Sequence, residues 1–368
     1  MAEKSTTYDK KLHQQLTLKL RELVNQMPVF CETFFRGIEP TTSIKSRIAY
    51  AFDLRSFLHY LVEESFEEPF NGKTPKEVTL EMMENITPVQ IEKFLEYLSF
   101  YSLPHYKNPD EFVTYTNGNS GKARKLSTLR TFYKYFYKKE MVKKNPALLV
   151  DIPKIKEKPI VRLEVDEVAN LLDLLEDPKG MTDTQKKFHQ RTKERDMAMI
   201  VLLLGTGIRV SEFVGLDLSH FDFKNNSFKI TRKGGSQVVL YFSDEVANVL
   251  ENYLEVRDEI TPLPGHEDAM FLSLQRKRMG VSAVQKLIKK YTQIITPLKN
   301  ISPHKLRSTF GTNLYRESGD IYLVADVLGH KDVNTTKKHY AEISDEQRRK
   351  AAKMIKLRDD DDKGDLNE

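Results

Sequence analysis

Three prolines fall within a single charged stretch, KKNPALLVDIPKIKEKPIVRL, at positions 146, 153 and 159. Each ring removes a backbone donor and crowds the turn behind it, so no helix can run through this stretch. The lysines and the glutamate between the rings favour an extended, solvated connector. The stretch divides a 368-residue chain near its middle, and a chain of that length is better filled by two hydrophobic cores than by one. The expected organisation is a first domain over residues 1–152, a linker over 153–162, a second domain over 163–344, and a C-terminal helix with an acidic tail over 345–368.

Before the connector the apolar period is helical. In TPVQIEKFLEYLSFY, Thr87 can N-cap, Pro88 suits the first helical position, and Ile91, Phe94, Leu95 and Leu98 share a face. Strand patterns are scarce in this half. A polar stretch, Thr116 to Lys125, leads into LSTLRTFYKYFYKKEMV, where aromatic residues alternate with lysines and Leu126, Leu129, Phe132, Tyr133 and Phe136 are available for a core face. After the connector, EVDEVANLLDLLE restarts a helix, and KERDMAMIVLLLGTGIRVSEFVGLDLSHF reads as a buried helix, a Gly-Thr-Gly turn and a second helix. The period then changes: SFKIT and QVVLYF read as strands, joined through RKGGS, whose paired glycines favour a tight hairpin. Helical patterning returns from Ser282 and ends in DEQRRKAAKMIKLR, followed by the acidic run Asp359 to Asp362, a solvated end. The expected fold class is mainly α with a small antiparallel β-sheet.

Composition narrows the setting. A single cysteine, Cys31, excludes an intramolecular disulfide and a cysteine-based zinc cluster, fits a reducing compartment, and reads as a buried small hydrophobe. The N-terminus lacks an apolar signal core, and the longest apolar run, AMIVLLLGTGI, is too short to span a bilayer. A soluble, cytoplasmic chain is expected. Fifty-eight lysines and arginines against 53 acidic residues leave a formal net charge of +5, which suggests a polyanionic partner without establishing one.

The residues able to do chemistry lie in the second half. In GTGIRVSEFVGL, Arg209 follows the glycine turn and Glu212 lies one helical turn on, so the two can share a face, as a site pair or as an ordinary surface ion pair. Lys233 sits at the hairpin. Ser302 or Pro303 can open a helix that sets His304 and Arg307 one turn apart near its positive end, where anions bind. Leu-Gly-His ends a later helix at His330, and Tyr340 follows with His339 beside it. Tyr315 is assigned to the core. A metal site built from His304, His330 and His339 is the competing arrangement, but no His-Glu-x-x-His pattern occurs and Arg307 would repel a cation. No metal is expected.

An R-x-x-E after a glycine turn, a hairpin lysine, H-x-x-R, L-G-H and then a tyrosine, in that order, resembles the tyrosine recombinases. The upstream segments ITPVQIEKFLEYL, KARKLSTLRTFYKYFYKKEMVKKNPALLVDIPK and PIVRLEVDEVANLL are similar to that family's core-binding domain, linker and first catalytic helix. Among its branches the chain is most similar to the Xer recombinases, particularly the long single-recombinase type of some Gram-positive bacteria. The resemblance implies a helical, SAM-like core-binding domain and a mixed α/β catalytic domain. It implies that Arg209 and Arg307 grip a scissile phosphate, that Tyr340 attacks phosphorus, and that His304 takes up the phenolic proton. Lys233 would protonate the departing 5′-oxygen, His330 would hydrogen-bond the phosphate, and Glu212 would orient the site from behind. The interval from His330 to Tyr340 is one residue longer than in some members.

No cofactor and no ATP are implied. The implied partner is a double-stranded DNA recombination site, held by a homotetramer on paired sites, with Lys122, Arg124, Lys125, Arg130, Lys134 and Lys138 on a DNA-facing helix. YDKKLHQQLTLKLRELVNQM suggests one helix without the short strands of an arm-binding domain, which favours Xer-like chromosome-dimer resolution over a mobile-element integrase. A non-catalytic architectural DNA-binding protein is the alternative of a different class.

Overall fold

The computed structural model of the chain describes residues 7–65, 68–155, 160–232, 235–330, 332–334 and 336. The chain divides into two compact units, Met1–Lys158 and Pro159–Glu368. Among the described residues no helix is long and apolar enough to cross a membrane.

In the first unit the helices are α1 (Thr7–Val24), α2 (Val29–Gly37), α3 (Ile44–His59), α4 (Leu80–Glu84), α5 (Pro88–Tyr97) and α6 (Asn119–Lys138). They close on a phenylalanine-rich core in which Phe34, Phe57, Phe94, Phe132 and Phe136 are fully buried, each contributing about 1.5–3 kcal/mol by leaving water. The start of α5 is made as its sequence suggests. The Thr87 hydroxyl accepts from the Gln90 backbone N–H, Pro88 stands first in the helix, and Ile91, Phe94, Leu95 and Leu98 are buried. The apolar face of α6 is likewise the expected one.

The first unit also contains a hairpin that its sequence does not advertise. Strand β1 (Tyr101–Pro104) pairs antiparallel with β2 (Phe112–Tyr115), Tyr101 opposite Tyr115. Each strand has four residues and one ends in proline, too short to set up a period of two. What holds it is local: the rings of Tyr101 and Tyr115 stack at 5.3 Å.

The second unit comprises α7 (Val165–Glu176), α8 (Asp183–Gln190), α9 (Lys193–Thr206), α10 (Val210–Phe213), the sheet strands β3 (Phe221–Asp222), β4 (Ser227–Thr231) and β5 (Gln237–Tyr241), and then α11 (Asp244–Asp258), α12 (Val281–Ile295), α13 (Pro303–Ser318) and α14 (Ile321–Leu328). Helix α9 is central, packed against α7, α11 and α13. Its run from Ala198 to Leu203 is buried on every side, which is why the run shows no polar face. The sheet is antiparallel in the order β3-β4-β5, with Thr231 opposite Gln237 at the hairpin end. The helix expected after the glycine turn is only four residues long. Beyond it Gly215 and Asp217 turn the chain away, and Asp217 is held by Arg278 from a distant loop. Tyr315 is half-buried, packed beside Val324 and Leu328.

Candidate active site

Two left-handed glycines shape the region that carries the arginines. Gly207 ends α9 with φ of +60°, and a Cβ there would lie 2.3 Å from the Phe310 ring. Gly329 ends α14 with φ of +63°. At both places the turn needs a residue without a side chain.

Arg209 stands just before α10. Its backbone N–H donates to Glu212 Oε2 at 2.9 Å and its Nη1 donates to Oε1, also at 2.9 Å. The Glu212 side chain is 5% exposed and that of Arg209 is 35% exposed. This is not a solvated surface pair: the carboxylate is buried behind the arginine and aims it. Arg307 is buried on α13 and donates through Nη1 to the Gly207 carbonyl at 2.7 Å, and through Nη2 to the Leu328 carbonyl. The same Nη2 faces His330 Nε2 at 3.2 Å. A guanidinium has no acceptor, so Nε2 accepts here, which places the imidazole proton on Nδ1, donating to the Thr336 hydroxyl at 2.7 Å.

The end of α14 explains why these groups meet. Its glycine turn satisfies two carbonyls internally, those of Ala325 and Asp326, through the N–H groups of His330 and Gly329. The next three carbonyls each receive a different arginine: Val327 from Arg232 at 2.7 Å, Leu328 from Arg307, and Gly329 from Arg209 at 3.2 Å. A helix end carries unpaired carbonyls and partial negative charge, so cations settle there. Three guanidiniums are thus drawn to one turn with, among the described residues, a single buried carboxylate, Glu212, beside them. The surplus positive charge suits a small anion. Burial lowers the pKa of Arg232, with Arg209 acting in the same direction and Glu212 and Asp326 opposing.

The structure therefore brings together Arg209, Glu212, Arg307 and His330. His304 is exposed in the first turn of α13, three residues before Arg307. Lys233, Tyr340 and His339, like the C-terminal helix and acidic tail, lie outside the described residues. Arg232 and Thr336 are members of the cluster that the sequence analysis did not single out; the signal available for Arg232 was its place beside the hairpin lysine. Among the described residues no three histidine, cysteine, aspartate or glutamate side chains are grouped closely enough to hold a metal ion.

The basic helix α6 needs correction. Lys125 does not present its ammonium to solvent: it is buried, bonded to Asp53 Oδ1 and Ser56 Oγ at 3.2 Å each. The period that placed it on a basic face ignored a buried carboxylate on α3. Asp53 takes the Lys125 ammonium, the Arg124 guanidinium and the Thr128 hydroxyl. Arg130 is also occupied structurally, donating to the carbonyls of Ala147 at 2.9 Å and Val150 at 2.6 Å, so that it fastens the chain as it leaves the helix. Arg124, Lys134 and Lys138 are exposed, and Lys122 is half-buried with its ammonium on Ser99 Oγ.

Comparison with known proteins identifies the family. The phage integrase family profile matches residues 162–347. The tyrosine recombinase XerC of Caldanaerobacter subterraneus is 32% identical over 312 residues, covering 82% of this chain and 79% of the relative. The tyrosine recombinase XerS of Streptococcus mutans is 29% identical over 358 residues, covering 91% and 98%. Among solved structures, the XerH site-specific recombinase bound to a palindromic difH substrate shares the fold with a TM-score of 0.61, at 18% identity and covering 85% of this chain and 80% of that one. The Tn1549 transposon integrase in complex with circular intermediate DNA does so at 0.60, with 18% identity and 89% and 99% coverage. The glycine-framed arginines and this match over most of the sequence lead to one conclusion: the chain belongs to the phage integrase family of tyrosine recombinases and is Xer-like.

Proposed function

We propose that this recombinase cuts and rejoins DNA at a specific site through a 3′-phosphotyrosyl intermediate on Tyr340. The observation that carries the reading is the convergence of Arg209, Arg307 and His330 on the turn ending α14. Two planar guanidiniums match the non-bridging oxygens of a phosphodiester and stabilise the charge that grows on them during transfer. The Tyr340 oxygen forms a bond to phosphorus as the bond to the 5′-oxygen breaks. His304 accepts the phenolic proton and Lys233 delivers one to the departing oxygen, leaving a 5′-hydroxyl. The phosphotyrosyl ester conserves the bond energy, so attack by another 5′-hydroxyl reseals the strand without ATP. The positive charge comes from side chains, and no metal ion is required. Glu212 holds Arg209 in place.

The partner is double-stranded DNA, held as paired sites by a homotetramer in the cytoplasm, with Lys122, Arg124, Lys134 and Lys138 offered to the backbone. Resolution of chromosome dimers is the Xer-type role, supported by relatives such as XerS that match over nearly their whole length. The test is a nicked duplex from which the 5′-hydroxyl fragment diffuses away. Its sequence is obtained first by sequencing genomic fragments trapped on the protein. Wild type should accumulate a covalent adduct, and Tyr340→Phe should bind the duplex without forming one. An adduct at wild-type level in Tyr340→Phe removes the tyrosine from its role. The trapped sequence separates a chromosomal resolution site from the ends of a mobile element.

A further inference from the structure

The hairpin between β4 and β5 sits at one edge of the sheet, and nothing in a β-turn by itself fixes where its tip points. Arg232 supplies that constraint. It is the first residue after β4, and its backbone closes the turn: its N–H donates to the Ser236 carbonyl at 2.8 Å and its own carbonyl accepts from the Gly235 N–H at 3.0 Å. Its side chain leaves the sheet altogether and reaches the end of α14, bonding the Val327 carbonyl at 2.7 Å and the Asp326 carbonyl at 3.4 Å. The approach is so close that a Cβ on Gly329 would fall 1.1 Å from Arg232 Nη1. The glycine of Leu-Gly-His therefore makes room for this arginine as well as turning the chain.

We propose that Arg232 is a positioning residue for strand cleavage, fastening the base of the hairpin whose next residue is Lys233 to the turn on which Arg209, Arg307 and His330 converge. The proposal rests on the reading of Lys233 as the proton donor. A general acid acts only within hydrogen-bond reach, about 2.6–3.2 Å, of the atom it protonates. A hairpin fastened to the phosphate-gripping turn keeps the donor and the arginines in one frame. In this role Arg232 acts through Lys233, its own side chain being taken up by the Asp326 and Val327 carbonyls.

The test uses the full-length protein and two nicked duplexes of the trapped sequence, one with the ordinary 5′-oxygen at the scissile phosphate and one with sulfur in that bridging position. A departing thiolate is stable without a proton, so cleavage of the sulfur duplex does not need the acid. Single-turnover adduct formation by Arg232→Ala should be at least roughly tenfold slower than wild type on the oxygen duplex and within roughly threefold of wild type on the sulfur duplex. Arg232→Lys keeps charge and bulk; it serves where the alanine variant unfolds, and its oxygen-to-sulfur ratio should shift in the same direction. Equal slowing on both duplexes makes Arg232 a merely structural residue and overturns the proposal. Wild-type rates on both overturn it as well. Failure of the underlying reading looks different: Lys233→Ala would then show no rescue by sulfur, or wild type would form no adduct on either duplex.

Discussion

Arg307 is buried and holds the Gly207 and Leu328 carbonyls and the His330 imidazole, whereas Arg209 keeps 35% of its side chain in solvent and leans on a carboxylate. Removing Arg307 therefore empties part of the core, and removing Arg209 mainly takes a donor from the site. Arg209→Ala should retain folding and most DNA affinity while slowing adduct formation by about 10²–10³-fold, the usual effect of losing one preorganised charge-stabilising donor. Thermal melting, gel shift and single-turnover cleavage measured side by side check this; parallel losses in all three would make Arg209 a folding residue. Glycine turns and helical spacing alone left Arg209 and Glu212 open as an ordinary surface ion pair; Arg209, Glu212, Arg307 and His330 were singled out by their order along the chain, through its resemblance to the tyrosine recombinases. Arg232 was not, since an arginine beside a lysine in a hairpin reads as one more solvated charge until its acceptors, nearly a hundred residues later, are seen. Thr336 was hidden for a similar reason: a hydroxyl carries no sign of the imidazole it will orient.

Helices α3 and α6 show where periodicity misleads. The apolar residues of α6 turn inward as their spacing requires, yet Lys125 turns inward with them because Asp53 on α3 is already buried there. A buried carboxylate with two cations and a hydroxyl around it is costly to break from one side. Asp53→Ala should destabilise the protein by about 3–5 kcal/mol, because it leaves the Lys125 ammonium buried without its counter-charge. Urea unfolding of wild type and variant measures this; a loss below about 1 kcal/mol would mean that the ammonium escapes to water. The same variant should cleave DNA normally under conditions where it remains folded. Strands β4 and β5 were readable from alternation, but β1 and β2 were not. Four residues give too few repeats, and the stacking of Tyr101 on Tyr115 that holds them is visible only once the strands are paired.

Each unit contains a histidine whose pKa is lowered by its surroundings, and this bears on how stability responds to acid. Burial, reinforced by the Arg55 charge, lowers the pKa of His59 to about 4. Burial also lowers that of His189, and Lys290 adds to the effect. Above the ordinary histidine value of about 6.5 neither the folded nor the unfolded form is protonated, so neither residue makes stability depend on pH. Below it the unfolded chain takes up protons that the folded chain refuses, and stability falls as pH falls, for His59 until about pH 4. Urea midpoints measured between about pH 7.5 and 5.5 should decline, and His59→Gln with His189→Gln should flatten the decline. A wild-type midpoint that holds steady over this range would show that both imidazoles gain compensating contacts when charged. The two histidines lie in different compact units, Met1–Lys158 and Pro159–Glu368, and the proline-bearing stretch of the sequence spans the point of division. The apolar run of α9 lies in the core of the second unit, as a run without a polar face requires.

Three consecutive carbonyls at the end of α14 each hold a different arginine. Such a turn acts as a gauge block: three side chains that leave from the start of α10, from α13 and from the end of β4 are all measured against the same few peptide groups. A substitution that alters the backbone of this one turn would therefore disturb all three guanidinium contacts together.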